Sequence, residues 1–335
     1  MKDVIGWGIL GPGRIGNDFA HCLRETPDGR VAAAGSRDIE RSGAFCEKYG
    51  GKAYGSYEEL VNDPDVDIVY VATPHHLHEE HTILALRAGK HVLCEKPIAV
   101  NAKQAANMYA EAEKRGLFLM DGLWSRFFPA WEFAREFIHS GEIGKIVTIN
   151  STTSWGALPT NPPGRLYNLD IAGGSLLDGG VYSLAAMSVL LGADEYPTEI
   201  KAITDIGTTG VDDHDLAIMR FPSGVLFTML CGLQGALLET HVLCEKGTLT
   251  IPNHRNPTHV QVRTRLPGSY MGAVNRDYEF PYADEGFQFE ASHVHDCLRK
   301  GLKTSPRVTQ KESLMLMRIA DEIRRQAGFV YPFEK

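Results

Sequence analysis

A glycine-rich segment near the amino terminus has the spacing of a dinucleotide-binding loop. Gly11-Pro12-Gly13-Arg14-Ile15-Gly16 follows an apolar run at residues 4–10 and opens a helical pattern. In such a loop the first glycine allows a tight turn, the second lets the backbone approach a pyrophosphate, and the third lets the helix lie close to the sheet. The helix amino terminus then faces the anion. We therefore predict dinucleotide contacts from Gly11, Pro12, Gly13, Arg14 and Ile15; the alternative is a glycine-rich turn without a ligand.

The end of the second predicted strand indicates which dinucleotide is bound. An NAD-binding chain would carry an Asp or Glu about 20 residues past the glycines, where the carboxylate binds the adenosine ribose. Here Ser36 and Arg37 directly follow Gly35. A hydroxyl and an arginine fork suit a 2′-phosphate, which a carboxylate would repel. The pattern favours NADP(H), the alternative being a solvated Arg37 that pairs with Asp38.

A lysine follows the strand predicted at residues 91–94, within Cys94-Glu95-Lys96-Pro97. Open α/β sheets bind ligands at the carboxyl ends of their strands. There Lys96 can hold a proton, polarise a hydroxyl or contact the nicotinamide ribose, and Glu95 is assigned to the same cofactor site. The alternative is an exposed loop, since a second Cys-Glu-Lys at residues 244–246 lies in a predicted hairpin turn.

Asp178 and Tyr182 lie four residues apart in a helix predicted at residues 176–191. This spacing places both side chains on one helix face. The glycines before and between them allow another backbone or a ligand to approach closely. Both residues are candidates for catalysis and substrate binding. The alternatives are a helix-capping role for Asp178 and a packed core position for Tyr182.

Four histidines cluster after another predicted strand, next to Thr73-Pro74. No Cys, Asp or Glu completes a recognisable ligand spacing with them, so we predict no metal site. The cluster is instead expected to position the cofactor, with contacts from Thr73, Pro74, His76 and His78. The four histidines are His75, His76, His78 and His81.

Three further residues are candidates for lining the nicotinamide and substrate pocket. Trp124 and Arg126 are assigned to the cofactor, and Trp124 and Trp155 to the substrate. The alternative for the two tryptophans is a place in an aromatic core.

These residues need elements to position them, and residues 1–122 predict alternating strands and helices, as in parallel βαβ units. Predicted strands cover residues 4–10, 31–35, 67–72, 91–94 and 117–120, and predicted helices cover residues 14–24, Ile39–Tyr49, 78–88 and Ala102–Arg115. Ser56 with Glu59 forms a capping box for a further short helix. The expected fold class is α/β, an NADP-binding Rossmann domain with a doubly wound parallel sheet.

Residues 123–335 predict an α+β domain for substrate binding and oligomerisation, with a large, mainly antiparallel, open-faced sheet. Predicted strands cover residues 145–155, Glu199–Ile206, 216–221, 225–233, 241–244 and 248–251, and predicted helices cover residues 131–138, 176–191, 288–299 and 310–326. Residues 225–233 offer little polar surface on either strand face. A sheet with helices on one side leaves such a face to cover, which predicts a homodimer or a dimer of dimers.

Length and composition limit the classes of function. The chain of 335 residues is long enough for two domains, and its 43% apolar and 23% charged residues are typical of globular proteins. A formal charge of -8 and a pI near 5.9 argue against nucleic acid or an anionic membrane as the main partner. No secretory leader is predicted, and six scattered cysteines indicate free thiols. We therefore expect a cytoplasmic protein that acts on a small molecule.

Several motifs together resemble the glucose–fructose oxidoreductase/inositol dehydrogenase (Gfo/Idh/MocA) family: the glycine loop, residues 73–78 (TPHHLH) and residues 88–97 (AGKHVLCEKP). Residues 119–129 (LMDGLWSRFFP) and 173–182 (GGSLLDGGVY) are similar to the branch containing dimeric dihydrodiol dehydrogenase and NADP-dependent xylose dehydrogenase. The resemblance covers essentially the whole chain. It implies that Lys96 is catalytic, that Asp178 and Tyr182 come from the second domain to meet it, and that the protein is oligomeric.

The motifs and the resemblance predict an NADP-dependent oxidoreductase that transfers a hydride between the nicotinamide and a carbinol carbon of a cyclic sugar or trans-dihydrodiol. Aldose oxidation at C1 to a lactone is an example. Lys96 and Tyr182 would transfer the proton, with Asp178 orienting Lys96. One alternative is an NADPH-dependent reductase of a keto-sugar of the anhydrofructose type. Another is a non-catalytic NADP-binding regulator, which would not need this catalytic set.

Overall fold

A computed structural model describes residues 3–266, 268 and 272–334. The chain divides into two units. The first comprises the chain up to Trp124 together with Ala283–Leu314, and the second comprises Ser125–Tyr282 together with the chain from Met315 onward.

Six parallel strands form the sheet of the first unit. They are β1 (Ile5–Leu10), β2 (Gly29–Gly35), β3 (Lys52–Tyr54), β4 (Ile68–Val71), β5 (His91–Glu95) and β6 (Leu119–Gly122). Their order is β3-β2-β1-β4-β5-β6, two halves that start from neighbouring strands, which is the doubly wound arrangement. β1 and β4 are buried along their whole length, as strands covered on both faces must be. The predicted α/β Rossmann fold is confirmed, with β3 as a strand that was not predicted.

Five helices connect these strands. They are α1 (Arg14–Leu23), α2 (Ile39–Tyr49), α3 (Tyr57–Val61), α4 (His78–Arg87) and α5 (Ala102–Arg115). The predicted capping box opens α3: the Ser56 hydroxyl accepts from Glu59 N at 3.2 Å and donates to the Glu59 carboxylate at 2.9 Å. Asn101 caps α5 by accepting from Gln104 N at 2.9 Å. These caps satisfy backbone N–H groups that have no partner within the helix.

The second unit is built on an eight-stranded sheet. Its strands are β7 (Ile146–Trp155), β8 (Glu199–Ile206), β9 (Asp212–Arg220), β10 (Leu226–Gly232), β11 (Ala236–Cys244), β12 (Gly247–Pro252), β13 (His259–Arg265) and β14 (Ala273–Glu279). Their order is β14-β13-β12-β11-β7-β10-β9-β8. All neighbours are antiparallel except β7 and β10, which are parallel, so the predicted mainly antiparallel sheet is confirmed. β13 and β14 were not predicted.

An apolar helix packs against this sheet. The helix α6 (Pro129–His139) precedes it in the chain, and one turn of π-helix at Leu176–Gly180 leads into α7 (Val181–Leu191). α7 contacts β7 and β10. The segment Leu169–Leu191 is long and apolar enough to cross a membrane, but 94% of its most apolar window is buried within the protein. Such burial is how a core helix packs.

The opposite face of the same sheet exposes apolar side chains. Strand pairing places Leu230 beside Leu216, and Leu216 beside Ile203, in one row across β10, β9 and β8. Directly opposed residues of paired strands share a face. Ile203 is 75% exposed and Ile218, two residues beyond Leu216, is 54% exposed. Within the described residues, the face turned away from α7 is therefore apolar and accessible.

Two helices follow the sheet, α8 (Phe287–Arg299) and α9 (Gln310–Ala327). α8 belongs to the first unit: Trp7 Nε1 donates to His295 Nε2 at 2.8 Å, and the Phe19 and Phe287 rings meet edge-on at 6.3 Å. The predicted division into residues 1–122 and 123–335 did not include this return of the chain, because α8 joins β1 and α1 through contacts distant in sequence. Short 3₁₀-helices lie at His75–Leu77, Trp124–Phe127, Arg165–Tyr167, Leu169–Ile171 and Pro332–Glu334.

Candidate active site

The glycine loop between β1 and α1 has the geometry that the sequence predicts. Gly11 has a φ of +92°, and a Cβ there would lie 3.0 Å from the Thr73 side chain. A Cβ on Gly16 would lie 2.9 Å from Gly11 O, so only glycine lets α1 approach the loop this closely. A Cβ on Gly13 would meet no atom within 4 Å. The first and third glycines are thus required by the fold, and the middle one borders open space.

The amino terminus of α1 fits an anionic group. Gly13 is its N-cap and offers no capping side chain, and no acidic residue lies in the first turn. The N–H groups of this turn are therefore not satisfied by a side-chain cap, which is the arrangement that binds a pyrophosphate. Pro12 is buried within the loop and Ile15 is half-buried, whereas the Arg14 side chain is 83% exposed.

Ser36 and Arg37 lie at the carboxyl end of β2. Ser36 is buried, and its hydroxyl accepts from Asp38 N at 3.2 Å. The Asp38 carboxylate caps α2 by accepting from Glu40 N at 3.0 Å and Arg41 N at 3.4 Å. Asp38 is thus occupied by the helix, and among the described residues Arg37 forms no ion pair. The alternative prediction of an Arg37–Asp38 pair does not describe this structure.

A cavity of about 340 Å³ opens beside Arg37. Its wall includes Tyr57 and His81, whose rings meet edge-on with centroids 4.6 Å apart. Leu77 and Leu84 add apolar surface, and Glu80 lines it as well. The lining of the cavity therefore combines the Arg37 guanidinium with aromatic, aliphatic and acidic side chains.

His78 connects two loops of the first unit. Its Nδ1 lies 2.8 Å from Pro97 O and its Nε2 lies 2.8 Å from Thr73 O. Two carbonyl acceptors favour the charged imidazolium, but burial outweighs them and lowers the pKa of His78 to about 4. Both ring nitrogens face the backbone, so His78 positions the loops that carry Thr73 and Lys96. Direct contact of His78 with the cofactor stays a prediction.

The other histidines of the cluster are also held by their own unit. His81 Nδ1 lies 3.0 Å from the Thr73 hydroxyl, and burial lowers the pKa of His81 to about 4. The His75 ring meets the His78 ring edge-on at 5.6 Å. Pro74 and His76 are the more accessible members of the segment. In the described ranges, no three His, Cys, Asp or Glu side chains are arranged to hold a metal ion.

Lys96 directly follows β5, at the edge of the sheet where the strands end. The Glu95 carboxylate before it is buried and accepts from the Tyr70 hydroxyl and, at 3.2 Å, from Lys96 N. Glu95 therefore fixes the backbone of the lysine. The Lys96 side chain is half-buried.

Two buried carboxyl groups near Glu95 were missed by the sequence analysis. Asp121 on β6 and Glu290 on α8 are almost fully inaccessible to solvent. Burial, and then the charge of nearby carboxylates, raises their pKa values well above the ordinary range. Both environments therefore favour the uncharged acid over the carboxylate. Asp121 directly follows the apolar run at residues 117–120, and an acidic residue at that position was a signal that the sequence offered. The sequence around Glu290 offered no such signal.

Trp124 belongs to a core. It is 1% exposed and stacks on Phe287 with ring centroids 4.5 Å apart and planes at 14°. The structure therefore places Trp124 in an aromatic core, while its contact with the nicotinamide or the substrate stays a prediction. Arg126 is half-buried in the short helix that follows.

Asp178 and Tyr182 lie together in the second unit, in the π-turn and the first turn of α7. Both are buried, with exposures of 5% and 4%. Arg165 Nη1 lies 2.8 Å from Asp178 Oδ1. The sequence analysis gave Asp178 the task of orienting Lys96 and missed this arginine, because residue 165 lies in an irregular segment. Arg165 is the residue with which Asp178 forms an ion pair in this unit.

Trp155 completes this group at the end of β7. Its ring meets the Tyr182 ring edge-on, with centroids 5.8 Å apart and planes at 85°. A Cβ on Gly179 would lie 3.0 Å from Trp155 Nε1, so this glycine lets the indole approach the π-turn. Trp155 Nε1 is buried and has no hydrogen-bond acceptor among the described residues. A buried donor without an acceptor is unfavourable, so this indole N–H is a candidate donor to a ligand oxygen.

Both units match known protein families. Residues 5–123 match the model of an oxidoreductase family with an NAD-binding Rossmann fold, GFO_IDH_MocA, and residues 131–250 match the GFO/IDH/MocA C-terminal domain. The chain belongs to the GFO/IDH/MocA oxidoreductase family. The family resemblance predicted from the motifs is thereby confirmed, and the protein is an oxidoreductase with an NAD(P)-binding Rossmann domain.

The GFO/IDH/MocA relatives and structural neighbours match over nearly the full chain. Trans-1,2-dihydrobenzene-1,2-diol dehydrogenase of Mus musculus is 40% identical over 339 residues, and that of Homo sapiens is 36% identical over 337, with 99% of each chain covered. A 3-ketoreductase from Actinomadura kijaniata, solved with NADP and TDP-benzene, is 28% identical with a TM-score of 0.86, covering 96% of this chain and 98% of its own. An aldose-aldose oxidoreductase from Caulobacter crescentus, solved with glycerol, is 29% identical with a TM-score of 0.86, covering 97% and 98%.

Proposed function

We propose that this protein transfers a hydride between NADP(H) and a carbinol carbon of a cyclic sugar or trans-dihydrodiol. The observation that carries the proposal is the group formed by Tyr182, Asp178 and Trp155. It combines a phenol, a carboxylate and an indole N–H without an acceptor within one helical turn and its neighbouring strand. Such a set suits a ligand with several hydroxyl groups.

Similar proteins support this class of substrate. The relatives carry the name of a dihydrodiol dehydrogenase, and the structural neighbours are a 3-ketoreductase and an aldose-aldose oxidoreductase. All of these names describe oxidation or reduction at a carbon that bears oxygen. Structures of the same ketoreductase include a lysine variant and a tyrosine variant, the two residue types that we place at the reaction centre.

NADP(H) is proposed over NAD(H) because of the end of β2. Arg37 supplies a cationic fork for the 2′-phosphate, and Ser36 supplies a hydroxyl. Asp38 is occupied in capping α2 and does not neutralise that fork. The cavity beside Arg37, with Tyr57 and His81 in its wall, suits the adenosine end of the cofactor. The glycine loop and Thr73 would then contact the pyrophosphate and ribose.

The proposed chemistry needs a base beside the substrate hydroxyl. When bound, the nicotinamide supplies hydride transfer to or from the substrate carbon. When the substrate carbon loses its hydride, the hydroxyl on that carbon must lose its proton. A base must therefore lie within hydrogen-bond reach of the hydroxyl oxygen. Tyr182 is proposed to accept this proton as a phenolate that the Lys96 ammonium stabilises, and the transfer leaves a neutral phenol. Asp178 would hold a substrate hydroxyl or the lysine, with its own charge balanced by Arg165.

Trp155 is the proposed donor that orients the substrate. Its indole N–H would donate to a substrate oxygen, which satisfies a group that has no acceptor in the described part of the chain. A hydroxyl-bearing ring offers such an oxygen next to the carbon that reacts.

The reverse direction, reduction of a keto-sugar, uses the same residues and is a second candidate, favoured by the ketoreductase neighbour. A non-catalytic regulator would have no need of a lysine at the end of β5 together with Asp178 and Tyr182. We therefore place the protein among the enzymes of the family.

We further propose a homodimer or dimer of dimers formed through the apolar sheet face of β8, β9 and β10. We also propose a cytoplasmic location, because all six cysteines are free thiols, which a reducing compartment maintains.

The direct test is reduction of NADP, followed by absorbance, across a panel of aldoses, inositols and trans-dihydrodiols, with NAD in parallel. We expect turnover of at least one class, with NADP preferred. A protein that binds NADP and reduces it with none of these, and that oxidises NADPH with no keto-sugar, would be a regulator instead.

A further inference from the structure

Two buried aspartates lie beneath the segment that carries Asp178. Asp212 and Asp215 are on β9 in the second unit, and each is 2% exposed. The Ser175 hydroxyl lies between them, 3.4 Å from Asp212 Oδ2 and 2.8 Å from Asp215 Oδ2. Two buried carboxylates this close would repel each other, which favours a state in which one of the two is a carboxylic acid.

The partners of the pair indicate which member carries the proton. Asp215 accepts from the hydroxyls of Thr204 at 2.6 Å and Ser175 at 2.8 Å, and from the Cys231 thiol at 3.5 Å. This is the hydrogen-bond pattern of a carboxylate. Asp212 accepts from Leu176 N at 2.7 Å, while its Oδ1 has no hydrogen-bond partner among the described residues. Asp212 thus has fewer close donors than Asp215, which points to Asp212 as the acid; burial, and then the charge of Asp215, raises the pKa of Asp212 in the same sense.

The segment before Asp178 is shaped around this pair. Gly174 has a φ of +121°, and a Cβ there would lie 1.9 Å from Asp212 Oδ1. No other residue type fits beside the aspartate at this position. At the preceding residue, the Tyr331 hydroxyl donates to Gly173 O at 2.8 Å. The backbone just before the π-turn is therefore held at two consecutive residues, Gly173 and Gly174.

We propose that Asp212 and Asp215 form a proton-sharing clamp that positions residues 175–182, and with them Asp178 and Tyr182. The two aspartates are positioning residues and touch no substrate. The consequence for catalysis rests on the function proposed above. The clamp itself does not rest on that function, because it determines only how well residues 175–182 are held in place.

Within the described ranges, no cation forms an ion pair with either aspartate of the clamp. The titratable groups that face it are Cys231 on β10 and Tyr331 near the carboxyl terminus, and burial raises the pKa of both well above the ordinary range. Arg324 lies over the Tyr331 ring at 5.2 Å, but its guanidinium is bonded to Glu334 at 2.6 Å and Asp321 at 3.1 Å. Loss of the shared proton at alkaline pH would therefore place two charges together and open the clamp.

The matched variants are Asp212→Asn and Asp212→Ala. An asparagine reproduces the acid, because its carbonyl accepts from Leu176 N and its amide donates to Asp215, and it cannot lose a proton. Alanine removes the clamp. Asp205→Asn on β8 is the control, since it makes the same replacement of Asp by Asn at a side chain that is 75% exposed.

Hydrogen exchange of the peptide covering residues 175–182 tests the clamp without any substrate. At neutral pH, exchange in Asp212→Asn and Asp205→Asn should stay within about twofold of wild type, and in Asp212→Ala it should be at least about tenfold faster. After correction for intrinsic rates, raising the pH should loosen this peptide in wild type and not in Asp212→Asn. Equal protection in wild type and Asp212→Ala, or the same pH dependence in wild type and Asp212→Asn, would overturn the proposal.

Activity adds a second readout. Asp212→Ala should lower kcat at least about tenfold while NADP affinity stays within about twofold, because the glycine loop lies in the other unit. If wild type turns over no substrate of the panel, the proposed function fails while exchange still decides on the clamp. If Asp212→Ala does not fold, the comparison of wild type with Asp212→Asn across pH decides alone.

Discussion

Arg165 and Asp178 form an ion pair in which a half-exposed arginine meets a buried carboxylate, with Nη1 and Oδ1 2.8 Å apart. The arginine balances the negative charge that burial would otherwise make unfavourable. It also fixes the orientation of the carboxylate through Oδ1. The pair lies one helical turn from Tyr182, so its loss should be felt in turnover.

Arg165→Met should lower kcat/KM about tenfold, since a hydrogen bond to a charged group contributes about 1.5–3 kcal/mol and exposure of Arg165 reduces this. NADP affinity should not change. Arg220→Met is the control, because Arg220 pairs with Glu199 on the exposed sheet at 3.9 Å. The free-energy loss calculated from kcat/KM should be smaller in the double variant Arg165→Met/Asp178→Asn than the sum of the losses in the two single variants. Additive losses would show that the two side chains act separately.

The cofactor preference depends on Arg37. Arg37→Ala should weaken NADP binding about ten- to a hundredfold, the scale of a charge-assisted contact to a phosphate, and leave NAD binding nearly unchanged. Arg41→Ala, an exposed arginine on α2, should alter neither. Titration by intrinsic fluorescence measures both affinities. A wild type that prefers NAD, or equal weakening of both cofactors, would contradict the assignment.

Acid should destabilise the protein through His78. Its pKa is lowered from 6.5 to about 4 in the folded state, so its contribution to stability is complete above pH 6.5 and is lost as the pH falls toward 4. The loss from this residue is about 3 kcal/mol over that window.

Urea unfolding at several pH values measures this effect. In His78→Gln, the free energy of unfolding should depend less steeply on pH, by up to about 1.4 kcal/mol per pH unit within the window. The variant should also be less stable than wild type at neutral pH. His139→Gln, at an exposed position on α6, should follow wild type. An unchanged slope in His78→Gln would mean that His78 is already charged in the fold.

The assembly depends on the apolar sheet face. Ile218→Glu places a charge in the centre of that face, which an apolar interface cannot accommodate without loss of affinity. We expect a dimer or tetramer in wild type and a monomer in the variant, measured by light scattering at micromolar concentration. Leu158→Glu, at a position 74% exposed outside the sheet, should assemble like wild type. A monomeric wild type would refute the assembly.

The fold could be predicted where local pattern and local chemistry agree. The glycine loop, the caps of α3 and α5 and the buried strands of the first unit each depend on neighbours in sequence. β13 and β14 were missed because their burial is weak and alternates with exposed charged residues. The return of α8 to the first unit depends on contacts such as Trp7–His295, which no local pattern reveals.

The sequence was sufficient to propose residues for the candidate site, but it did not reveal most of the contacts that these residues make. The spacing of Asp178 and Tyr182 indicated a shared face, yet nothing in it pointed to Arg165, Asp212 or Asp215, which come from other segments. The stacking of Trp124 on Phe287 likewise joins residues far apart in sequence, which the residue type of Trp124 does not reveal. Side-chain partners distant in sequence decide such assignments.

Tyr182→Phe tests the central claim most directly, because it removes one oxygen and leaves a ring that can still pack against Trp155. The measurement is kcat on the best substrate of the panel, with NADP affinity measured in parallel and Lys96→Met as the companion variant. The account predicts a fall in kcat of about a hundredfold or more, the scale of general acid–base catalysis, with NADP affinity within about twofold. Lys96→Met should be at least as damaging, and the double variant little worse than the worse single one. A Tyr182→Phe protein that keeps most of its kcat would contradict the role of Tyr182 as the proton acceptor.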